Sequence, residues 1–211
     1  MSTFIGVLSQ KGGVGKSTIS RLIAREYAAA EWKVKIADMD ISQATSTNWN
    51  RRRMHAKIEP EISVEAFGNV SKAFAIADHD LVIFDGAPHA TRMTLDIAKG
   101  VDLIIIPTGV ALDDLEPSVK LAHELKANGI DKRKICFVLN GVGTSSAEIE
   151  EATNYIADAQ YTLLKGAIPD KTAYRKASDY GKALTETPFE SLNSTAAQIV
   201  ESVVGKLQEL S

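Results

Sequence analysis

Ser9-Gln10-Lys11-Gly12-Gly13-Val14-Gly15-Lys16-Ser17-Thr18 lies between an apolar, β-branched run at residues 3–8 and a stretch of helical spacing at residues 16–31. This succession of strand, glycine loop and helix decides the fold. Glycines let the backbone turn tightly so that its N–H groups face a phosphate, and the positive end of the following helix lies beneath them. A ligand-free glycine turn is the alternative, but both flanks supply the context that a phosphate loop requires. Lys16 is then placed to reach the β- and γ-phosphates, the Ser17 hydroxyl to coordinate Mg²⁺, and Thr18 to help at the α-phosphate. The ordinary pattern has glycine at position 10. Here Gln10 stands in its place, and a second lysine, Lys11, follows it.

Outward from the loop, short apolar runs alternate with longer segments of helical spacing, as in βαβ units around a buried parallel sheet. Strands are predicted at residues 3–8, 34–37, 62–64, 81–84, 103–106, 134–139 and 163–168, and helices at 16–31, 112–128, 146–159 and 195–210. The runs at 81–84 and 103–106 are continuously apolar, which suits central strands covered on both faces. Asn128-Gly129 is a helix stop. The expected fold is α/β: a doubly wound, mostly parallel sheet flanked by helices. No repeat or low-complexity linker divides residues 1–211, so one domain is expected.

The 211 residues are 45% hydrophobic and 24% charged, with one cysteine, ordinary values for a soluble domain. A chain of this length buries about 70% of its unfolded surface and needs no disulfide or structural metal. Cys136, inside the apolar run at 135–139, is expected to be a buried, inert thiol, and the composition suits a reducing cytoplasm. No apolar run approaches the roughly 18–20 residues of a membrane span, and residues 1–6 have neither a basic start nor a long apolar stretch, so neither spanning nor export is expected. The net charge of −3, from 24 basic and 27 acidic side chains, means that any attraction to nucleic acid must come from a local patch.

Residues 81–88, Leu-Val-Ile-Phe-Asp-Gly-Ala-Pro, form an apolar strand ending on Asp85, the arrangement needed to hold Mg²⁺, usually through a water. A turn-forming Asp before Gly is the alternative. Asn140 ends another strand, where an amide can both donate to and accept from an adenine edge; a cap or turn is the competing role. Asp113 and Asp114 are expected to be helix N-terminal charges favoured by the helix dipole.

Lys11-Gly12-Gly13-Val14-Gly15-Lys16-Ser17-Thr18 resembles the deviant Walker A loop of the ParA/MinD ATPases, and the resemblance runs through most of the chain. It implies a P-loop NTPase-like fold, ATP and Mg²⁺ as cofactors, and a homodimer in which Lys11 crosses to the partner's nucleotide. Asp38-Met39-Asp40-Ile41-Ser42-Gln43 resembles the family's Asp-x-Asp-Pro-Gln element, whose second aspartate helps place the attacking water. Asp40 keeps that place, while Ile41 replaces the proline and one extra residue precedes Gln43. Asp85 matches the family's metal-shell aspartate and Asn140 its base-reading asparagine. By the same resemblance Pro169 and Asp170 complete the base pocket.

Lys165, Lys171, Arg175, Lys176 and Lys182 gather near the last strand and the helix after it, opposed by Asp170 and Asp179, with Tyr174 and Tyr180 interleaved. On an exposed helix, Lys171, Arg175 and Lys182 would form a phosphate-binding stripe without sequence readout; a merely solvated face is the alternative. Many relatives in that family bind DNA non-specifically as ATP dimers. Arg51-Arg52-Arg53 is the densest charge run and is expected to be a solvated helix end, or an edge toward a partner.

The resemblance thus implies a ParA-type partition or positioning ATPase. Its dimer would bind non-specific DNA, its hydrolysis would be stimulated by a ParB-like or other adaptor, and it would be cytoplasmic and nucleoid-associated when ATP-bound. A MinD-like membrane cycler would need a basic, bulky C-terminal amphipathic helix. Residues 198–211, with Glu201, Glu209, a lone Lys206 and no aromatics, suit a packing helix instead, so no membrane partner is expected. An ATP-dependent ligase, or an iron–sulfur reductase or carrier, remains open on the same scaffold, although clusters need thiolates and the chain has only Cys136.

Overall fold

The computed structural model describes residues 2–76, 78–89 and 91–211. The strands are β1 (Thr3–Val7), β2 (Val34–Asp38), β3 (Ser63–Ala66), β4 (Leu81–Asp85), β5 (Leu103–Thr108), β6 (Ile135–Val142) and β7 (Thr162–Pro169). They form one seven-stranded sheet in the order β3-β2-β4-β1-β5-β6-β7, paired in parallel throughout. The helices are α1 (Lys16–Ala29), α2 (Thr45–His55), α3 (Val70–Phe74), α4 (Thr91–Gly100), α5 (Leu112–Ala127), α6 (Ser146–Asp158), α7 (Thr172–Asp179) and α8 (Glu190–Leu210).

The continuous apolar runs do what a two-sided sheet demands. Leu81 and Ile83 of β4, with Leu103 and Ile105 of β5, join a core built with α1, Trp49 of α2 and α8. Val82 and Phe84, with Ile104 and Ile106, face the other way into a core with α4, α5 and α6. Alternate side chains of a strand point to opposite faces, so both faces must be apolar here. Cys136 is fully buried, and burial pushes its thiol up to about 12. As the Asn-Gly pair suggests, α5 ends at Asn128, with Gly129 at φ +88°.

Helices α3 and α4 fall outside the four expected helical segments, and α2 and α8 depart from the periodicity in instructive ways. The buried residues of α2 are Ser46, Trp49, Asn50 and Arg53, a helical stripe composed mostly of polar side chains, so hydrophobic spacing does not reveal it. Helix α8 begins at Glu190, five residues before the expected 195. Ser and Asn favour caps and turns, which makes its first turn look like loop. A reciprocal clasp holds that turn: Thr187 N–H donates to Asn193 Oδ1 at 3.0 Å, and Asn193 Nδ2 donates to Thr187 O at 2.9 Å.

Chain order reverses on either side of β1, since β4 lies to one side of it and β5 to the other. Ligands of open α/β sheets bind at such a switch point, outside the carboxyl ends of the strands.

Candidate functional site

At that edge Asp85 is in register with Val7 of β1 and with Asp38 of β2, so two carboxylates end adjacent strands beside the glycine loop. A cavity of about 230 Å³ opens there. Its lining includes Gly12, Gly13, Gly15, Lys16, Ser17, Thr18, Asp40 and Asp85 from the sequence analysis, together with Asp38, Gln43 and Thr45.

Gly15 has φ +104°, and a Cβ there would lie 2.3 Å from Asn140 Nδ2. Only glycine meets both conditions. It serves as N-cap of α1, which has no side-chain cap, so the first-turn N–H groups are left for a ligand. Lys16 opens the helix, is 7% exposed, and donates through Nζ to Lys11 O at 2.9 Å. Burial lowers its pKa below the ordinary lysine value, against the opposing charges of Asp85 and Asp40.

Asp85 is buried, and Ser46 Oγ donates to its Oδ2 at 2.6 Å. Among the described residues Oδ1 has no hydrogen-bond partner. Burial raises this carboxyl to about 6, with Asp38 adding to the rise, while the Ser46 and Ser17 hydroxyls and Arg21 oppose it. A buried carboxylate oxygen left without a donor, beside Ser17 and Lys16, suits a hard cation. Asp40 differs: burial opposes ionisation, but the Ser42 hydroxyl, the Gln43 and Ser42 amides and Lys16 hold its carboxyl below the usual range. Ser42 Oγ donates to Asp40 Oδ1 at 2.6 Å and Gln43 N–H at 3.1 Å.

Other expected residues take different places. Val14 is buried, and its carbonyl accepts from Asn140 Nδ2 at 3.0 Å, so Asn140 braces the loop. Pro169 ends β7 and Asp170 N–H donates to Val142 O at 2.9 Å; both lie outside this cavity. Lys11 turns to α5, pairing with Asp114 and donating to Asp113 O at 3.1 Å. The two acids do occupy the first turn of a helix, but Asp114 has this second task.

The arginine run needs correction. Arg51 and Arg52 are exposed, whereas Arg53 is 1% exposed. Its guanidinium donates to Pro60 O and Gly181 O and forks onto Glu186, at 2.7 Å to Oε2 and 3.0 Å to Oε1. A residue seven positions after Ser46 on a helix faces inward whatever its charge.

Lys171, Arg175, Lys176 and Lys182 are exposed around α7, and Tyr180 is 71% exposed. Arg175 pairs with Asp170. Tyr174, by contrast, is buried and donates to Leu192 O at 2.7 Å, and Lys165 lies on β7 against Ser202 of α8. Asp38, read only as the opening of the Asp-x-Asp element, accepts from Thr47 N–H and Oγ1 at 2.9 and 3.0 Å. Ser46 and Arg21 join the site with no signal of their own in the sequence. Only the proximity of Asp38 to Asp40 signalled that group.

Residues 5–184 match the model of the CobQ/CobB/MinD/ParA nucleotide binding domain. An iron-sulfur cluster carrier protein of Rickettsia felis is 32% identical over 123 residues, which take in 54% of this chain and 38% of that relative's own length. The septum site-determining protein MinD of Pyrococcus horikoshii, complexed with Mg-ADP, superposes with a TM-score of 0.77 at 17% identity, covering 100% of this chain and 99% of that one. A plasmid partition protein of Borrelia burgdorferi gives 0.65 at 16% identity, covering 97% and 99%. These structural likenesses carry the fold, and the family match covers the loop, both aspartate strands and the arginine helix. The chain belongs to the CobQ/CobB/MinD/ParA family of nucleotide-binding domains.

Proposed function

We propose that this protein is a Mg²⁺-dependent ATPase of the ParA type, which pairs on ATP and then binds DNA without sequence preference. The observation that carries this reading is the division of labour between two lysines on one glycine loop. Lys16 is buried among carboxylates, while the Lys11 side chain is 41% exposed and turned away from the cavity. One cation thus serves the chain's own phosphates, and the second, held by Asp114 in the single chain, would serve a neighbour's once a stronger acceptor draws it away.

Lys16 would exchange the Lys11 carbonyl for the β- and γ-phosphates, and the first-turn amides of α1 would face the same oxygens. Ser17 and Asp85 would hold Mg²⁺, which would supply positive charge to offset the negative charge that develops on the phosphates. Asp40, kept ionised by its donors, would orient the attacking water. The exposed Lys171, Arg175 and Lys182, doubled in a dimer, would supply phosphate contacts, each adding about −0.9 to the slope of log affinity against log salt. An adaptor protein would set the pace of hydrolysis.

Helix α8 offers no free apolar stripe to a membrane, because Ala196, Ile199, Val200 and Val203 are packed into the core. Among the described residues no helix is long and apolar enough to cross a membrane. A second reading comes from the Rickettsia relatives, named iron-sulfur cluster carriers. Cys136, buried and with its thiol raised, is poorly suited to ligate a carried cluster. Anaerobic iron and sulfide reconstitution followed by visible absorbance tests that reading.

The primary test is retention on arbitrary-sequence DNA over a salt series, without nucleotide, with ADP and with slowly hydrolysed ATP. The expected result is retention only with the ATP form, lost steeply with salt and absent in Lys11→Ala. No retention in any state overturns the DNA reading.

A further inference from the structure

Arg21 of α1 is 5% exposed. It donates from Nε to Ser46 Oγ at 3.2 Å and from Nη1 to Ser178 Oγ at 3.2 Å. Its guanidinium lies over the Trp49 ring, 5.4 Å from the centroid. A buried guanidinium normally seeks a carboxylate, because an uncompensated charge in the interior is costly. Here the charges of Asp85 and Asp38 offset part of that cost without a direct bond, and the hydrogen-bond acceptors are two serine hydroxyls, which gives those bonds another purpose.

Ser46 supplies it. A hydroxyl has one proton to donate. Because Ser46 Oγ accepts from Arg21, that proton is directed onto Asp85 Oδ2, at 2.6 Å. The donor chain Arg21 to Ser46 to Asp85 polarises in one direction, each bond strengthening the next. Ser46 does not serve its own helix: the N-cap of α2 is Ala44, with no side-chain cap. With Oδ2 engaged, the buried Oδ1 is the oxygen left without a donor.

We propose that Ser46 is a positioning residue for Asp85, its proton aimed by Arg21, so that Oδ2 is locked and Oδ1 is presented to the Mg²⁺ of a bound nucleotide. This rests on the metal role given to Asp85 above. It adds α2 to the metal site, and through the Arg21–Ser178 bond it ties that site to α7.

The test measures the affinity of fluorescent mant-ADP while Mg²⁺ is titrated in from a chelated baseline. For Ser46→Ala the expected result is unchanged Mg²⁺-free affinity with about tenfold more Mg²⁺ needed for half-maximal tightening, the scale of a lost hydrogen bond to a charged group. Ser46→Thr, which keeps the hydroxyl, restores the wild-type midpoint. Arg21→Met shifts the midpoint the same way and is not additive with Ser46→Ala, since both act through one proton. A Ser46→Ala midpoint within about twofold of wild type overturns the inference, as does an equal loss of Mg²⁺-free affinity in the Ala and Thr variants. If wild-type affinity ignores Mg²⁺, the metal role of Asp85 falls and takes this inference with it; if wild type responds and Ser46→Ala matches it, only the inference falls.

Discussion

Replacing Arg53 by methionine keeps most of the side-chain length and removes the guanidinium. The fork onto Glu186, at 2.7 and 3.0 Å, and the bonds to Pro60 O and Gly181 O are lost together. Breaking a buried pair by deleting one partner costs about 3–5 kcal/mol, because the other charge stays behind. Glu186 retains Ala183 N–H at 2.7 Å and Arg25 Nε at 3.4 Å, which places the loss near the lower end. A loss of about 3 kcal/mol corresponds to a melting temperature lowered by about 6–12 °C for a chain of this size. With a urea m-value of about 2 kcal/mol/M, the midpoint falls by about 1.5 M. Arg51→Met, at an exposed position two residues away, is the control and should stay within about 0.5 kcal/mol of wild type. Urea unfolding of the three proteins decides the matter. A loss below about 1 kcal/mol in Arg53→Met would refute the argument and return the whole run to solvent.

Further expectations concern pH, the loop and the metal site. The folded-state pKa of Glu186 is depressed: burial works against it, but Arg53, the Ala183 amide and Arg25 outweigh burial. The stabilisation is therefore complete above the ordinary value of 4.5 and is lost as pH falls through it toward the folded value. Urea midpoints taken on descending pH should drop more in wild type than in Glu186→Gln; parallel curves count against the assignment. Gly15→Ala forces a Cβ to 2.3 Å from Asn140 at φ +104° and should cost about 1–3 kcal/mol with loss of nucleotide affinity, read by thermal shift and mant-ADP titration. Asp85→Asn should abolish the tightening of mant-ADP by Mg²⁺ while leaving Mg²⁺-free binding in place, and a retained response would discharge Asp85 from the metal role. Asp114→Asn releases Lys11 and should lower the concentration of slowly hydrolysed ATP at which dimers appear in size-exclusion chromatography; an unchanged concentration would show the ion pair to be incidental.

The strands were legible because both faces of a central strand must be apolar, and runs such as 103–106 admit few other structures. The loop was legible because glycine and lysine at those positions serve backbone and charge requirements that few other arrangements share. Helix α2 resisted for the opposite reason. Its inward stripe is Ser46, Trp49, Asn50 and Arg53, and polarity hid an ordinary helical period. The same concealment led to the solvated placing of Arg53, whose partner Glu186 is far away in sequence, and to the omission of Ser46 and Arg21 from the site. Asn140 was read as an amide for an adenine edge, or as a cap or turn, whereas its bond to Val14 O depends on how β6 lies beside the loop, which spacing along the chain does not disclose.

The Lys11–Asp114 pair has a consequence for chains that meet without nucleotide. A lysine held by its own helix presents no unsatisfied cation to a passing copy, so collisions between empty molecules offer little to adhere to. Only an acceptor richer in charge than a single half-exposed carboxylate competes for that ammonium, and a triphosphate is such an acceptor. If the chain pairs on ATP as proposed, the ion pair would work as a filter against fruitless encounters, confining assembly to molecules that already carry their fuel.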